Sequence, residues 1–231
     1  MPDFQGYGPL LLDGLAMTIG VALASMLGAL IVGLAAAAGK LFLPRVLRIL
    51  LEVYTTIVRG VPELVLLLLI YYGLPTLVQD TFTSAGMDVD LAINPFVAGI
   101  GTLTLIYGAF ACEVYRAAYL AVPTGQHDAA NALGLSRWLS FRKVILPQMV
   151  RFALPGLGNV WMVLVKATAL ISIIQLPELM RNADIAARAT RSPFTFFFSA
   201  CVLYLVITGI SMLAQARIER WAARGIGAGA L

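Results

Sequence analysis

Residues 123–147 read PTGQHDAANALGLSRWLSFRKVILP, the longest polar, charge-bearing segment between the apolar runs of this chain. Proline at both borders disfavours continuing a helix across either one. Inside it, Asp128 to Leu133 is helix-compatible, with Asp128 suited to a helix N-terminus, where a carboxylate accepts backbone N–H bonds. Ala129, Ala130 and Leu133 then form a small apolar face, and Gly134 suits the helix stop. With Arg137, Arg142 and Lys143 on its flank, such a helix fits a groove on another protein. An ordinary solvated loop between helices satisfies the same residues.

Composition sets what surrounds this loop. Of 231 residues, 60% are hydrophobic and 12% charged, with mean hydropathy +0.89. A soluble domain carries roughly 25% charged residues, so the chain reads as an integral membrane protein. Lys and Arg (16) exceed Asp and Glu (12), but no basic run interleaved with aromatics points to a nucleic-acid partner. Cys112 and Cys201 fall within apolar runs and read as free thiols, and the lone His127 cannot build a metal site. MPDFQGYG has neither a basic region nor a small-residue cleavage site, so the first apolar run is expected to be retained.

Five membrane spans are expected, at about residues 12–39, 52–78, 93–118, 152–176 and 194–217, within one domain over 1–231. Gly33, Gly39 and Lys40 superficially resemble a phosphate-binding loop, but the spacing is wrong and Leu41 stands where Ser or Thr is needed. No ATP site is encoded, so any ATP energy must come from another chain. Residues 64–79 are too short a charge-free run to cross, so the second span extends back through Glu63, Pro62 and Arg59. Arg59 and Glu63, at i and i+4, are then ionisable groups at or in the membrane, with Pro62 expected to break the helix between them. They read either as a functional pair facing the interior or as a structural ion pair at a kink.

Loop charges orient the spans. Lys40, Arg45 and Arg48, then Arg137, Arg142, Lys143 and Arg151, then Arg217, Arg220 and Arg224 fall on one side; the other side holds Arg181, Arg188 and Arg191. The positive-inside rule therefore places the N-terminus outside, and the 123–147 loop and the C-terminus in the cytoplasm. The Arg181–Arg191 cluster dissents, and a short helix at the outer face accommodates it. Thr168 and Ser172, one turn apart, are candidate polar pocket groups and equally common helix-packing residues.

Asp128-Ala129-Ala130, three residues, Gly134, nine residues, then Val144-Ile145-Leu146-Pro147 resembles the EAA loop of ABC-transporter permeases, with Asp for Glu and Val for Ile. Over nearly the whole chain, Tyr54-Thr55-Thr56, Arg59-Gly60-Val61-Pro62-Glu63-Leu64, Gly108-Ala109, Glu113, Arg116, Leu154-Pro155-Gly156, Asn159 and Lys166-x-Thr168-x-Leu170 resemble polar amino-acid uptake permeases, particularly those for histidine, lysine, arginine and ornithine. That resemblance implies an all-α membrane protein with the type I importer permease (MetI-like) fold, in a bacterial inner membrane. It implies no enzyme in this chain: ATP and Mg²⁺ belong to a partner ATPase dimer, into which Asp128, Ala129, Ala130, Leu133, Gly134 and Pro147 dock as a coupling loop. Further implied partners are a second permease, expected as a paralogous heterodimer, a periplasmic substrate-binding protein and the surrounding lipid.

Many relatives have an apolar pair after the Arg-Gly-Thr-Pro motif, whereas this chain has Glu63 there, as basic-amino-acid subunits have an acid. In a low-dielectric cavity that carboxylate favours a cationic ligand, so arginine, lysine, histidine or ornithine is the expected cargo, or an opine of the octopine or nopaline type. Ala167 replaces an acid common in relatives, leaving Glu63 to work alone or with a group from the partner. A proton-coupled secondary transporter built on Arg59 and Glu63 would also use these groups, but it gives no reason for a docking loop. An intramembrane enzyme lacks a spaced nucleophile and base.

Overall fold

The computed structural model describes residues 4, 6–84 and 93–222, among which there are helices and no strands. Among these residues the helices are α1 (Gly8–Phe42), α2 (Arg45–Gly60), α3 (Glu63–Ser84), α4 (Pro95–Leu120), α5 (Thr124–Ala132), α6 (Arg137–Ile174), α7 (Leu179–Thr190) and α8 (Pro193–Ala222). Helices α1, α3, α4, α6 and α8 are the five long and apolar enough to cross a membrane. Asp88, Asp90 and the tail from Arg224 lie outside the described residues.

The pairing of α1 with α4 dominates the packing, and small residues make it close. A Cβ on Gly33 would fall 2.6 Å from the Ala111 Cβ, and one on Gly108 would fall 2.9 Å from the Val32 Cγ1. In lipid, where apolar burial alone does not drive helix association, backbones brought this near gain dispersion contacts that larger side chains would block. The main core then joins Val21 and Ala29 of α1, Leu67 of α3, Tyr107 of α4, and Leu164 and Ile171 of α6.

The two ends of the bundle differ. At one, the Phe42 ring meets Tyr119 at 5.6 Å and Tyr119 meets His127 at 6.1 Å, which gathers the ends of α1 and α4 onto α5. At the other, Tyr7 packs on Phe196 at 6.0 Å, and α7 lies against α1 and α8. The short helix expected over the Arg cluster is α7, in which Asp184 sits between Arg188 at 2.9 Å and Arg181 at 3.7 Å. The dissenting positive charge at that end is thus partly neutralised.

Three sequence expectations change in the structure. The second span does not run over 52–78: the helix breaks at Pro62 as expected, with α2 ending at Gly60 and Val61 extended, and the stretch long and apolar enough to cross is α3 alone, whose first turn has the Pro62 carbonyl accepting from Val65 and Leu66. Pro147 does not end a helix, since α6 runs through it. A π-helical turn at Phe141–Ile145 contains Lys143, the residue whose carbonyl Pro147 cannot bond, and another at Leu69–Gly73 contains Tyr71, which stands in the same relation to Pro75. The wider turn makes room for the proline ring.

Lys40 is the third. It belongs to the last turn of α1 rather than to a basic loop, and is 6% exposed. Its Nζ donates to Thr55 Oγ1 of α2 at 2.5 Å and to Glu113 Oε1 of α4 at 2.6 Å, while Arg116 donates to the other Glu113 oxygen at 2.9 Å. Breaking a buried pair leaves its survivor charged in a low dielectric, typically at about 3–5 kcal/mol. Glu113 keeps some exposure and Arg116, so Lys40→Met is expected to lose about 2 kcal/mol, a loss largely recovered by adding Glu113→Gln. Thermal inactivation of the solubilised protein measures this; equal losses in the single and double variants would show that the pair is not responsible.

Candidate functional site

The interruption between α2 and α3 puts two ionisable side chains on either side of an extended residue. Arg59 lies in the last turn of α2, and its guanidinium sits 5.4 Å over the Phe110 ring of α4. Glu63 is half-buried in the first turn of α3, where the positive end of the helix dipole favours a carboxylate. Because the helix is broken between them, the i, i+4 relation does not bring them together; among the described residues no ion pair joins Arg59 to Glu63. Broken helices expose backbone carbonyls from one half and N–H groups from the other, which suits them to ions and polar ligands inside a membrane protein.

Thr168 and Ser172 lie where α6 tightens into a 3₁₀ turn. Thr168 is fully buried; its hydroxyl donates to the Val165 carbonyl at 2.7 Å and lies 3.4 Å from the Tyr204 hydroxyl. Ser172 donates to the Ala169 carbonyl at 2.7 Å. Their hydroxyls are thus engaged within the fold, although Ile171 between them shares the core cluster with Leu67 of α3. Lys166, read from sequence only as part of the permease-like motif and not as a site residue, is exposed on α6 and lines a groove of about 350 Å³ with Met180, Phe197 and Tyr204. Its signal was a single cation in an otherwise uncharged run, a placement that lipid disfavours and a polar cavity or protein partner tolerates.

A second group missed from sequence is Glu178, 1% exposed at the N-terminus of α7. It accepts from the backbone N–H groups of Met180 (2.9 Å) and Arg181 (2.7 Å) and from the hydroxyls of Tyr204 (3.2 Å) and Thr18 (3.3 Å). Burial pushes its carboxyl up, and these bonds pull it partly back. Together with the Thr168–Tyr204 contact, they tie α7 to α1, α6 and α8.

At the other end, α5 begins at Thr124 after Pro123, so Asp128 lies mid-helix rather than at the cap expected from sequence. Gly134 has φ +70°, the left-handed conformation that stops the helix, with Leu135 N–H donating to the Ala130 carbonyl at 3.1 Å. The two central alanines divide: Ala130 is 2% exposed and faces its own chain, whereas Ala129 is open to solvent with Asp128 and Leu133, the last 78% exposed. Ala129 and Leu133 at i, i+4 present one small apolar face. Beside it, Phe42, Tyr119, His127, Arg137 and Trp138 line a groove of about 550 Å³. Gln148 on α6 donates to Gln126 on α5 at 3.4 Å.

Comparison with known proteins agrees with this arrangement. Residues 10–224 match the family described as "Binding-protein-dependent transport system inner membrane component". The chain is similar to the nopaline transport system permease protein NocQ of Agrobacterium fabrum, 44% identical over 96% of this chain and 94% of that protein. It is similar to the histidine/lysine/arginine/ornithine transport system permease protein HisQ of Salmonella typhimurium, 42% identical over 93% of this chain and 94% of that protein. A crystal structure of an amino acid ABC transporter with histidines superposes with TM-score 0.81 and 33% identity, covering 93% of this chain and 94% of that chain. The inward-facing MetNI methionine transporter shares the fold at TM-score 0.74 and 20% identity, over 94% of this chain and 98% of that one.

Proposed function

The chain belongs to the family of binding-protein-dependent transport system inner membrane components, and on that premise we propose that it carries cationic amino acids across the membrane. It is a permease subunit of an amino-acid ABC importer, in a family whose ATPase activity lies in a separate subunit and whose members work with ATP-binding subunits and a substrate-binding protein. The observation that carries the cationic reading is Glu63, a half-buried carboxylate at an interrupted helix with no ion-pair partner among the described residues. At about 4 Å and an effective dielectric near 20, an opposite charge gains about 4 kcal/mol, enough to select a cationic side chain over a neutral one.

In this reading the coupling end of the bundle faces the cytoplasm and the N-terminus the periplasm. Arg45, Arg48, Arg137, Arg142 and Lys143 at that end support it by the positive-inside rule. The exposed face of α5 meets the ATP-binding subunit, where ATP and Mg²⁺ are held. Pro147 contributes by position: it sits where α6 leaves the coupling loop, with the π-helical turn before it. A second permease chain of the same fold covers the exposed apolar faces of α3 and α8, and is expected to be a paralogue. Lys166 faces the pathway between the two chains.

A second reading is specifically favoured by the nopaline relative: an opine, which keeps a cationic or polar amino-acid portion and adds carboxylates. Lys166 is a cation available to such a carboxylate. Competition of unlabelled arginine, lysine, ornithine, histidine, octopine, nopaline and glutamine against labelled arginine uptake separates the two. Competition by the basic amino acids alone supports the first, preferential competition by opines the second, and equal competition by glutamine contradicts both.

A further inference from the structure

Tyr107 of α4 shares the main core cluster with Leu67 of α3, and Val58 of α2 and Leu66 of α3, on either side of the interruption, pack against that cluster. Tyr107 is 1% exposed, and its hydroxyl is buried with no hydrogen bond of ordinary geometry. Buried phenols rarely stay unpaired, because the lost hydration of the O–H is not returned. The charged group acting on this hydroxyl is the Glu63 carboxylate. Next along α4, the Phe110 ring lies 5.8 Å from that of Tyr107 and carries Arg59 over its face. Each ionisable residue flanking the break therefore faces one aromatic side chain of α4.

We propose that Tyr107 is a positioning residue for Glu63, its hydroxyl donating to one carboxylate oxygen while the other receives the cationic group of the substrate. This rests on the reading of Glu63 as the substrate's acidic partner. A carboxylate has two oxygens and about four lone-pair sites, so one phenol bond leaves room for a guanidinium or ammonium. A phenol with no other partner has one productive bond to make, and making it fixes the direction in which Glu63 points. Bonds of this kind to a charged acceptor are stronger and shorter than neutral ones, which makes the orientation specific.

The test is a double-mutant cycle on the assembled transporter in proteoliposomes with labelled arginine. Tyr107→Phe keeps the ring in the core and removes one oxygen. Its apparent KM for arginine is expected to rise about tenfold, the factor for loss of one charge-assisted bond, with maximal rate, complex yield and thermal inactivation unchanged. In a Glu63→Gln background, Tyr107→Phe is expected to add nothing. A tenfold rise that persists in that background would make Tyr107 a packing residue, and an unchanged KM in the otherwise native protein would also overturn the proposal; in both cases the Glu63 reading survives. If Glu63→Gln itself transports arginine normally, the underlying reading fails instead.

Discussion

Ala129→Arg is expected to leave the protein folded and inserted while lowering transport on the order of 100-fold. Ala129 is exposed on a helix whose opposite side carries the buried Ala130, so an arginine there meets nothing within its own chain. Docked against an ATP-binding subunit, the same guanidinium would be desolvated without a partner, which costs several kcal/mol, and each 1.4 kcal/mol is tenfold in affinity. The measurement is copurification of the ATP-binding subunit with the tagged permease, together with ATP hydrolysis. Both should be lost for Ala129→Arg at unchanged permease yield. Ala130→Arg should behave differently, reducing the yield itself, because that side chain has to fit between α5 and the segment that starts α6. If Ala129→Arg retains the subunit and couples normally, α5 is a connecting loop and not a docking element.

Glu63→Gln carries the second large effect. The substitution keeps shape and removes one charge, so the loss measures electrostatic attraction to the substrate. Apparent affinity for arginine is expected to fall on the order of 100-fold, below the ideal Coulomb figure because Glu63 is only half-buried. The effect on folding should be small: a carboxylate in the first turn of a helix contributes about 0.3–1 kcal/mol. The concentration dependence of labelled arginine uptake checks the first point and thermal inactivation the second. Unchanged arginine affinity would show that the carboxylate does not face the substrate.

The five spans were legible because uncharged stretches of bilayer length leave few alternatives, and α1, α4 and α8 appear where composition places them. Family membership was legible in the order of motifs from Tyr54 to Leu170, and the comparisons bear it out. Substrate class was less so, since relatives named for nopaline and for basic amino acids stand at similar identity.

What sequence could not show depended on partners distant along the chain. Lys40 looked like a loop cation until Glu113 and Thr55, far away in sequence, closed around it. Pro147 carries the same local signal as Pro123, yet a π-helical turn absorbs one while the other starts a helix. Ala129 and Ala130 are chemically identical neighbours, and only packing of α5 against the following segment distinguishes the inward one. Glu178 and Tyr107 became visible only through three-dimensional hydrogen-bond geometry: two backbone N–H groups and two hydroxyls converge on the first, and the hydroxyl of the second is buried without a hydrogen bond.

The most direct test is ATP hydrolysis by the assembled importer in proteoliposomes, containing this permease, the proposed second permease chain, the ATP-binding subunits and the substrate-binding protein. With the binding protein loaded with arginine, hydrolysis should rise severalfold above the unloaded level and be accompanied by arginine uptake. Arginine uptake that proceeds without ATP, or hydrolysis indifferent to the loaded binding protein, would contradict the account.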